Sequence, residues 1–314
     1  MRSDERIALV IDSTIELDLL RRLEPAPAWL ADFAAQGGEV IAVGPFRALL
    51  HPDALGLNYA APTEPLGDAA EVMAALDQLR RLFAERKLLL RLEFTEQLFP
   101  ELAGWLERAR FTREAREPVL LMGSDEFRPS ADRQLYIRFL RPDADESDLL
   151  AFQSIFREVL LRQRGQPSPE QLAQLRRDVQ RADRRWHALA TQDSRPVGIG
   201  FVSATTGICE LARIGTVASA RRRGIGAALV SFMLQDRFAQ GDTLTWLAAE
   251  NEVAQALYEK VGFRPAGTRL YYQWEGRPPS PNPSPDFMTV LEEPAARAES
   301  EGSSGWDSPG RAGE

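Results

Sequence analysis

Residues 221–229 read RRRGIGAAL: three arginines, then a Gly-x-Gly pair, then small and apolar residues. Before them, ICELARIGTV (208–217) alternates as a strand does, and after them Leu229, Phe232 and Met233 fall at helical spacing. A strand that turns into a helix presents unpaired backbone N–H groups and the positive end of the helix dipole. Glycines there let the backbone approach an anion closely, and Arg221, Arg222 and Arg223 add charge at the mouth. The stretch therefore points to a cradle for a phosphate-bearing ligand. Taken alone it also fits a tight turn with a helix cap.

The background makes the arginines informative. The chain of 314 residues carries a net charge of −8, with three arginines against seven acids in residues 276–314, so about half of the excess acidity lies in that tail. A near-neutral, slightly acidic body argues against a nucleic-acid partner, which calls for a basic domain. The hydrophobic fraction of 44% and charged fraction of 27% are those of a globular protein, and the length suits two domains. No apolar run approaches the roughly 18 residues that cross a bilayer. Met1 is followed by Arg, Ser, Asp and Glu rather than an apolar stretch, so a secretory signal is not expected and the cytoplasm is. A single cysteine, Cys209, allows no intramolecular disulfide, and His51 and His187 are far apart with no companion ligands, so neither a metal site nor a histidine-based nucleophile is expected.

Two composition breaks divide the chain. MGSDEFRPSADR (122–133) is polar and turn-prone between apolar segments, and RPPSPNPSPD begins a Pro, Ser, Gly and Glu-rich tail expected to be mostly disordered. The expected units are 1–128, 132–275 and the tail 276–314. In the second, QLYIRFLR (134–141) reads as a strand, 147–161 as a helix, and SPEQLAQLRRDVQR as a helix with Ser168 as N-cap and Pro169 at its first position. WHALATQ, PVGIGFVSA and ICELARIGTV follow as strands joined by DSRP and TTG. A helix from Gly226 to about Phe238, strand TLTWLAA, a helix over 251–261 and strand RLYYQW close the unit. The order is β-α-α-β-β-β-α-β-α-β.

Two further groups stand out. In NEVAQALYEKVGF (251–263), Ala254, Leu257, Tyr258 and Val261 share a helix face and Gly262 suits its end; Tyr258 by itself reads as a packed core tyrosine. Glu210 is a carboxylate in an otherwise apolar strand, either on a solvated face or in a catalytic role.

Together these pieces resemble the GNAT superfamily of acetyl-CoA-dependent N-acetyltransferases. RRRGIG matches the family's Q/R-x-x-G-x-G/A loop, and NEVAQALYEKVGF matches the motif that follows it, across a likeness covering about residues 134–275. The resemblance implies an α/β (α+β) fold, a mixed and largely antiparallel sheet flanked by helices. It implies that backbone amides of Arg222, Arg223, Gly224, Ile225, Gly226 and Ala227, behind Arg221, hold the pyrophosphate of acetyl-CoA. Thr216, Val217 and Ala218 would pair with the pantetheine, Asn251 would touch the cofactor arm, and Tyr258 would protonate the departing thiolate. Glu210 matches the place where some members keep a general base, whereas many others draw the proton off through water. Ala218 stands where the family often has proline, which loosens the turn without removing a donor. Cys209 reads as core.

The first unit resembles a degenerate second copy. LEFTEQLFPELAGWLERARF (92–111) matches LAAENEVAQALYEKVGF (247–263) in spacing, putting Leu106 at Tyr258, Phe99 at Asn251 and Arg110 at Gly262. Chance similarity between two amphipathic helices would look the same. Its central helix follows PTEPLGD, with no arginine cluster and no glycine pair, and Asp68 would repel a pyrophosphate while suiting a helix N-terminus. The expected activity is acetyl transfer from acetyl-CoA to a primary amine of a small molecule or protein. The alternatives are a non-catalytic acyl-CoA sensor or scaffold, and a tandem acetyltransferase of the mycothiol-synthase kind. The identity of the amine and the oligomeric state are not legible.

Overall fold

The computed structural model describes residues 17–24, 27–35, 37–52, 58–63, 65–130, 134–181 and 184–274. The tail reading (276–314) and the first residues fall outside them. The first half runs α1 (Pro27–Ala35), β1 (Glu39–Val43), β2 (Phe46–Leu50), β3 (Tyr59–Pro62), α2 (Ala69–Glu85), β4 (Arg91–Thr95), α3 (Leu102–Arg108) and β5 (Phe111–Gly123). The second runs β6 (Leu135–Phe139), α4 (Glu146–Ile155), a π-helical turn (Phe156–Leu160), α5 (Pro169–Gln180), β7 (Arg185–Gln192), β8 (Arg195–Thr205) and β9 (Ile208–Thr216). It ends with α6 (Ile225–Ala239), β10 (Leu244–Ala248), α7 (Glu252–Val261) and β11 (Arg264–Trp274). The element order of this half is the one its sequence pattern indicates.

Local chemistry explains much of this. Ser168 and Gln171 form a reciprocal capping box at α5, with Pro169 in the first turn. Asp193–Ser194 and Thr206–Gly207 all take positive φ, the geometry of tight turns between right-twisted strands, and they join β7 to β8 and β8 to β9. Asp68 caps α2, accepting from the Glu71 N–H at 2.9 Å, as its position at the head of that helix suggests. Arg110 has φ +62° after α3, and Gly262 has φ +120° after α7. Both residues that align in spacing thus take positive φ where the chain leaves its helix.

All eleven strands form one sheet, in the order β1-β2-β3-β4-β11-β5-β10-β9-β8-β7-β6. It is antiparallel except for two parallel pairs, β3 with β4 and β9 with β10. The sequence break at 122–133 falls between β5 and β6, yet the pairing crosses it. β11, last of the second half, lies between β4 and β5, and β5, last of the first half, lies between β11 and β10. The halves have exchanged their final strands.

The exchange extends to the cores. Leu270 and Tyr272 of β11 are fully buried in the first-half core among Leu76, Leu79, Phe83 and Phe94. Leu120 and Met122 of β5 are equally buried in the second-half core, with Leu229, Met233 and Val261. Each such side chain contributes about 1.5–3 kcal/mol through burial. On the opposite face, Glu24 accepts from Arg269 of β11 at 2.8 Å and from the Thr95 hydroxyl at 2.8 Å. Arg91 of β4 reaches across β11 to Glu114 of β5, also at 2.8 Å.

His187 on β7 lies edge-on to Phe152 and Phe201, with ring centroids 5.3 and 5.1 Å away. Burial pushes its imidazole down to about 3, with Arg213 and Arg185 adding to the shift. The folded state thus holds His187 neutral while the unfolded chain protonates it below the usual histidine range. Its contribution is complete above about pH 6.5 and is lost as pH falls, at roughly 1 kcal/mol per pH unit. Urea titrations between pH 6.5 and 5 are expected to show that slope flattened in His187→Leu; an unchanged slope would assign it to other groups.

The exchange also bears on dissection. β11 pairs only with β4 and β5, both in the first half. Residues 131–314 expressed alone are expected to lack a cooperative thermal transition, and co-expression with 1–130 to restore one in a 1:1 complex. A cooperative, monomeric melt of the isolated second half would contradict this.

Candidate active site

β9 and β10 run parallel for three register pairs only, Leu244 with Ile208, Thr245 with Cys209 and Trp246 with Glu210. Beyond Glu210, β9 continues along β8 to Thr216, while β10 stays with β5 to Ala248. The strands part: their pairing ends at Glu210 with Trp246. Glu210 stands at the fork. Strand alternation sends Cys209 and Leu211 into the core beneath α6 and α7, and half-buried Glu210 to the other face.

β9 is also irregular. Phe201 pairs with Ala212 and Ile199 with Gly215, so Arg213 and Ile214 oppose Gly200 alone, a β-bulge with Arg213 at φ +54°. The Arg213 guanidinium lies over the rings of Phe156 and Phe201, at 5.6 and 5.5 Å from their centroids, and so ties the π-helical turn to the bulge. Sequence reasoning missed this feature, because an arginine within ICELARIGTV looks like any outward-facing strand residue.

The loop that decided the sequence reading lies at the end of this strand. The Val217 N–H donates to the Val197 carbonyl at 3.0 Å, and Ala218–Ala220 form a single 3-10 turn. Arg221 Nε donates to the Thr216 carbonyl at 3.2 Å, which folds that side chain back onto the strand. Arg222 and Gly224 both take left-handed φ, +62° and +82°. Gly224 has no side chain with which to cap α6, and the first bond of that helix is Ala228 N–H to the Gly224 carbonyl at 3.0 Å. The amides of Ile225, Gly226 and Ala227 therefore begin the helix without a partner one turn back. Arg222, Arg223 and Gly224 are exposed. An acceptor-rich anion fits this mouth.

The two glycines do different things. A Cβ on Gly224 would meet open space, so its requirement is the φ angle. Gly226 is buried, and a Cβ there would stand 2.9 Å from Leu257 Cδ1 on α7. Its bareness lets α7 press against the head of α6.

α7 brings the remaining residues. Asn251 caps it, with Oδ1 accepting from the Ala254 N–H at 3.0 Å, so half of its amide is committed to the helix. Tyr258 is 9% exposed and lies edge-on to Phe263, with centroids 5.9 Å apart. Burial, with the nearby Glu250 carboxylate adding, holds its phenol well above the ordinary tyrosine range, so it keeps its proton at neutral pH. Glu250 lies two residues past the end of β10, and the sequence gives no signal for it beyond adjacency to the Asn251 cap. On the opposite face Glu117 is raised by burial while hydrogen-bonded to Tyr271. Cys209 is fully buried with its thiol pushed up to about 12, a core residue rather than a nucleophile.

Tyr258 shares a core cluster with Ala220 and Ile225 at the loop and the head of α6, Asn251 starts the same helix as Tyr258, and Glu210 faces away from that core. Among the described residues, no group of three His, Cys, Asp or Glu could hold a metal ion, and no helix is long and apolar enough to cross a membrane.

The fold is an open, largely antiparallel sheet that splits at a parallel pair beside a glycine-headed helix. Residues 183–265 match the family model described as an acetyltransferase (GNAT) domain. A GCN5-related N-acetyltransferase from Kribbella flavida is similar at 26% identity, over 81% of this chain and 97% of that one, with a TM-score of 0.63. One from Sphaerobacter thermophilus shares 15% identity over 75% and 82%, with a TM-score of 0.57. A tandem GNAT protein from the clavulanic acid biosynthesis pathway shares 15% over 74% and 79%, with a TM-score of 0.54. A search of curated proteins finds no match. Residues 183–265 are thus similar to a GNAT acetyltransferase domain, and the chain shares its fold with GNAT proteins.

Gly226→Val is expected to cost about 1–3 kcal/mol by overpacking against Leu257. Gly226→Val/Leu257→Ala should recover part of that loss in chemical denaturation. Additive losses in the double variant would show that the contact is not the cause.

Proposed function

We infer that the second half transfers an acetyl group from acetyl-CoA to an amine. The observation that carries this reading is the parting of β9 from β10 after Glu210, which opens the sheet beside the loop whose helix-start amides lack partners. The mouth fits the cofactor on its own chemistry: exposed arginines, unpaired N–H groups and no carboxylate between Thr216 and Ala228. When bound, acetyl-CoA supplies an activated acetyl thioester.

In this reading the amides from Arg222 to Ala227 hold the pyrophosphate, with Arg222 and Arg223 beside it. Arg221 acts indirectly by pinning the loop to Thr216. The edge of β9 before Thr216 is the stretch an extended arm would pair with, leading inward from the loop toward Glu210. Asn251 orders the start of α7 as its cap. Tyr258 Oη carries the proton a leaving thiol requires, and its buried phenol suits a donor rather than a base. Glu210, on the opposite face, would take a proton from an amine arriving from that side, directly or through water. The first half serves as the degenerate copy, supplying β5 and closing the sheet.

Tyr258→Phe removes one hydroxyl from a preserved ring. Turnover, followed as free thiol released from acetyl-CoA across an amine panel, is expected to fall about 10²- to 10⁴-fold with acetyl-CoA affinity kept. Unchanged turnover would return Tyr258 to core packing. Acetyl-CoA binding without thiol release on any amine would favour a binding role for the chain.

A further inference from the structure

The first half has its own opening. β3 and β4 share a single parallel register pair, Ala60 with Leu92, and then separate. In a sheet with parallel strands, ligands bind beyond the carboxyl ends where neighbouring strands part. A pocket of about 210 Å³ lies there, lined by Ala61, Pro62 and Thr63 from the end of β3 and by Leu98 and Phe99 just past β4. It is the counterpart of the β9–β10 fork, without the arginine–glycine loop.

The charges around this pocket do not cancel. Glu24 Oε1 accepts from Arg269 and Thr95, each at 2.8 Å, while its Oε2 is buried without a hydrogen-bond partner, and Arg21 pairs with Asp18 at 2.9 Å. Arg47 of β2 lines the same pocket beside Ala61, its register partner, and is half-buried. Among the described residues Arg47 has no hydrogen-bond or ion-pair partner. A half-buried guanidinium without a counter-charge favours an anion, and its planar fork matches a carboxylate. The remaining wall is apolar, from Leu49, Pro62, Leu98 and Phe99. The space is enough for a short carbon chain.

We propose that the β3–β4 opening is a second ligand site, taking a small monocarboxylate with its carboxylate on Arg47 and its apolar tail against Leu98 and Phe99. Glu24 links the site to the exchanged strand, because the carboxylate that lines the pocket also holds Arg269 of β11. Occupancy therefore adds to the stability of the whole sheet.

The test titrates the full chain with butyrate, using ligand-observed NMR and thermal melting, with butyramide as the uncharged match and acetyl-CoA as the independent ligand. Saturable butyrate binding with a rise in Tm is expected, and butyramide should bind at least about tenfold more weakly. Arg47→Gln should lose about tenfold or more in butyrate affinity and lose the Tm rise, Arg47→Lys should fall between the two because it keeps the charge and loses the fork, and acetyl-CoA affinity should stay the same in each. Absence of saturable butyrate binding, equal binding of butyramide, or binding untouched by Arg47→Gln would each overturn the site. None of these outcomes bears on acetyl transfer by the second half.

Discussion

The ladder between β5 and β11 is the constraint on which the rest of the structure depends. It joins Phe111–Gly123 to Arg264–Trp274, the last strand of each half, and each of these strands fills the core of the other half. Pull β11 away and the first core loses Leu270 and Tyr272. Remove β5 and β10 loses its antiparallel neighbour, and with it the wall that holds β10 apart from β9. The opening at the fork exists because β10 is anchored on β5 while β9 is anchored on β8. A first half with no cofactor loop is thus still a physical part of the proposed active site.

The register of that ladder gives the sheet an approximate two-fold relation. On each side of the seam the order is an exchanged strand, a parallel pair, then antiparallel strands. At both parallel pairs the pairing is short, three register pairs for β9 with β10 and one for β3 with β4. What distinguishes the openings is the head of the following helix. α6 begins behind exposed arginines and a left-handed Gly224, with bare amides facing outward. α2 begins at Asp68, whose carboxylate already takes an amide of its own helix. An anion attracted to the first head is repelled from the second, so one layout yields a phosphate-fitting mouth on one side and a small pocket on the other.

The elements of the second half were legible because strand alternation, the Ser168 capping box and the motif around Tyr258 are local signals. The match of Arg110 with Gly262 in spacing was legible too, and both residues take positive φ. The exchange was not legible. Leu270 and Tyr272 alternate with Arg269 and Tyr271 whichever strands lie beside them, so the pattern of β11 states which face is apolar and nothing about its neighbour. Glu24 and Arg269 stand far apart in sequence and carry no joint signal. The early strands were missed for another reason: β3 spans only Tyr59–Pro62, too short for a period to show. At the site, the glycine pair was read as one device, whereas Gly226 is explained by a neighbour, Leu257, that no loop motif reveals.

That contact carries the argument about the site one step further. Proton donation depends on placing a hydroxyl within hydrogen-bond reach of the reacting atom, and small displacements are costly. Tyr258 follows Leu257 directly, and Leu257 rests on Gly226, one of the residues whose amides start α6. The end of α7 is fixed as well: the Val261 carbonyl accepts from Arg128 at 2.8 Å, and a Cβ on Gly262 would stand 2.3 Å from the Glu126 carbonyl oxygen. The helix bearing the proposed acid is therefore clamped at one end by the segment joining the two halves and in its middle by the proposed phosphate loop. Cofactor mouth and acid are held to each other by packing rather than by a flexible hinge. A residue with no polar side chain, Gly226, then sets the distance between them.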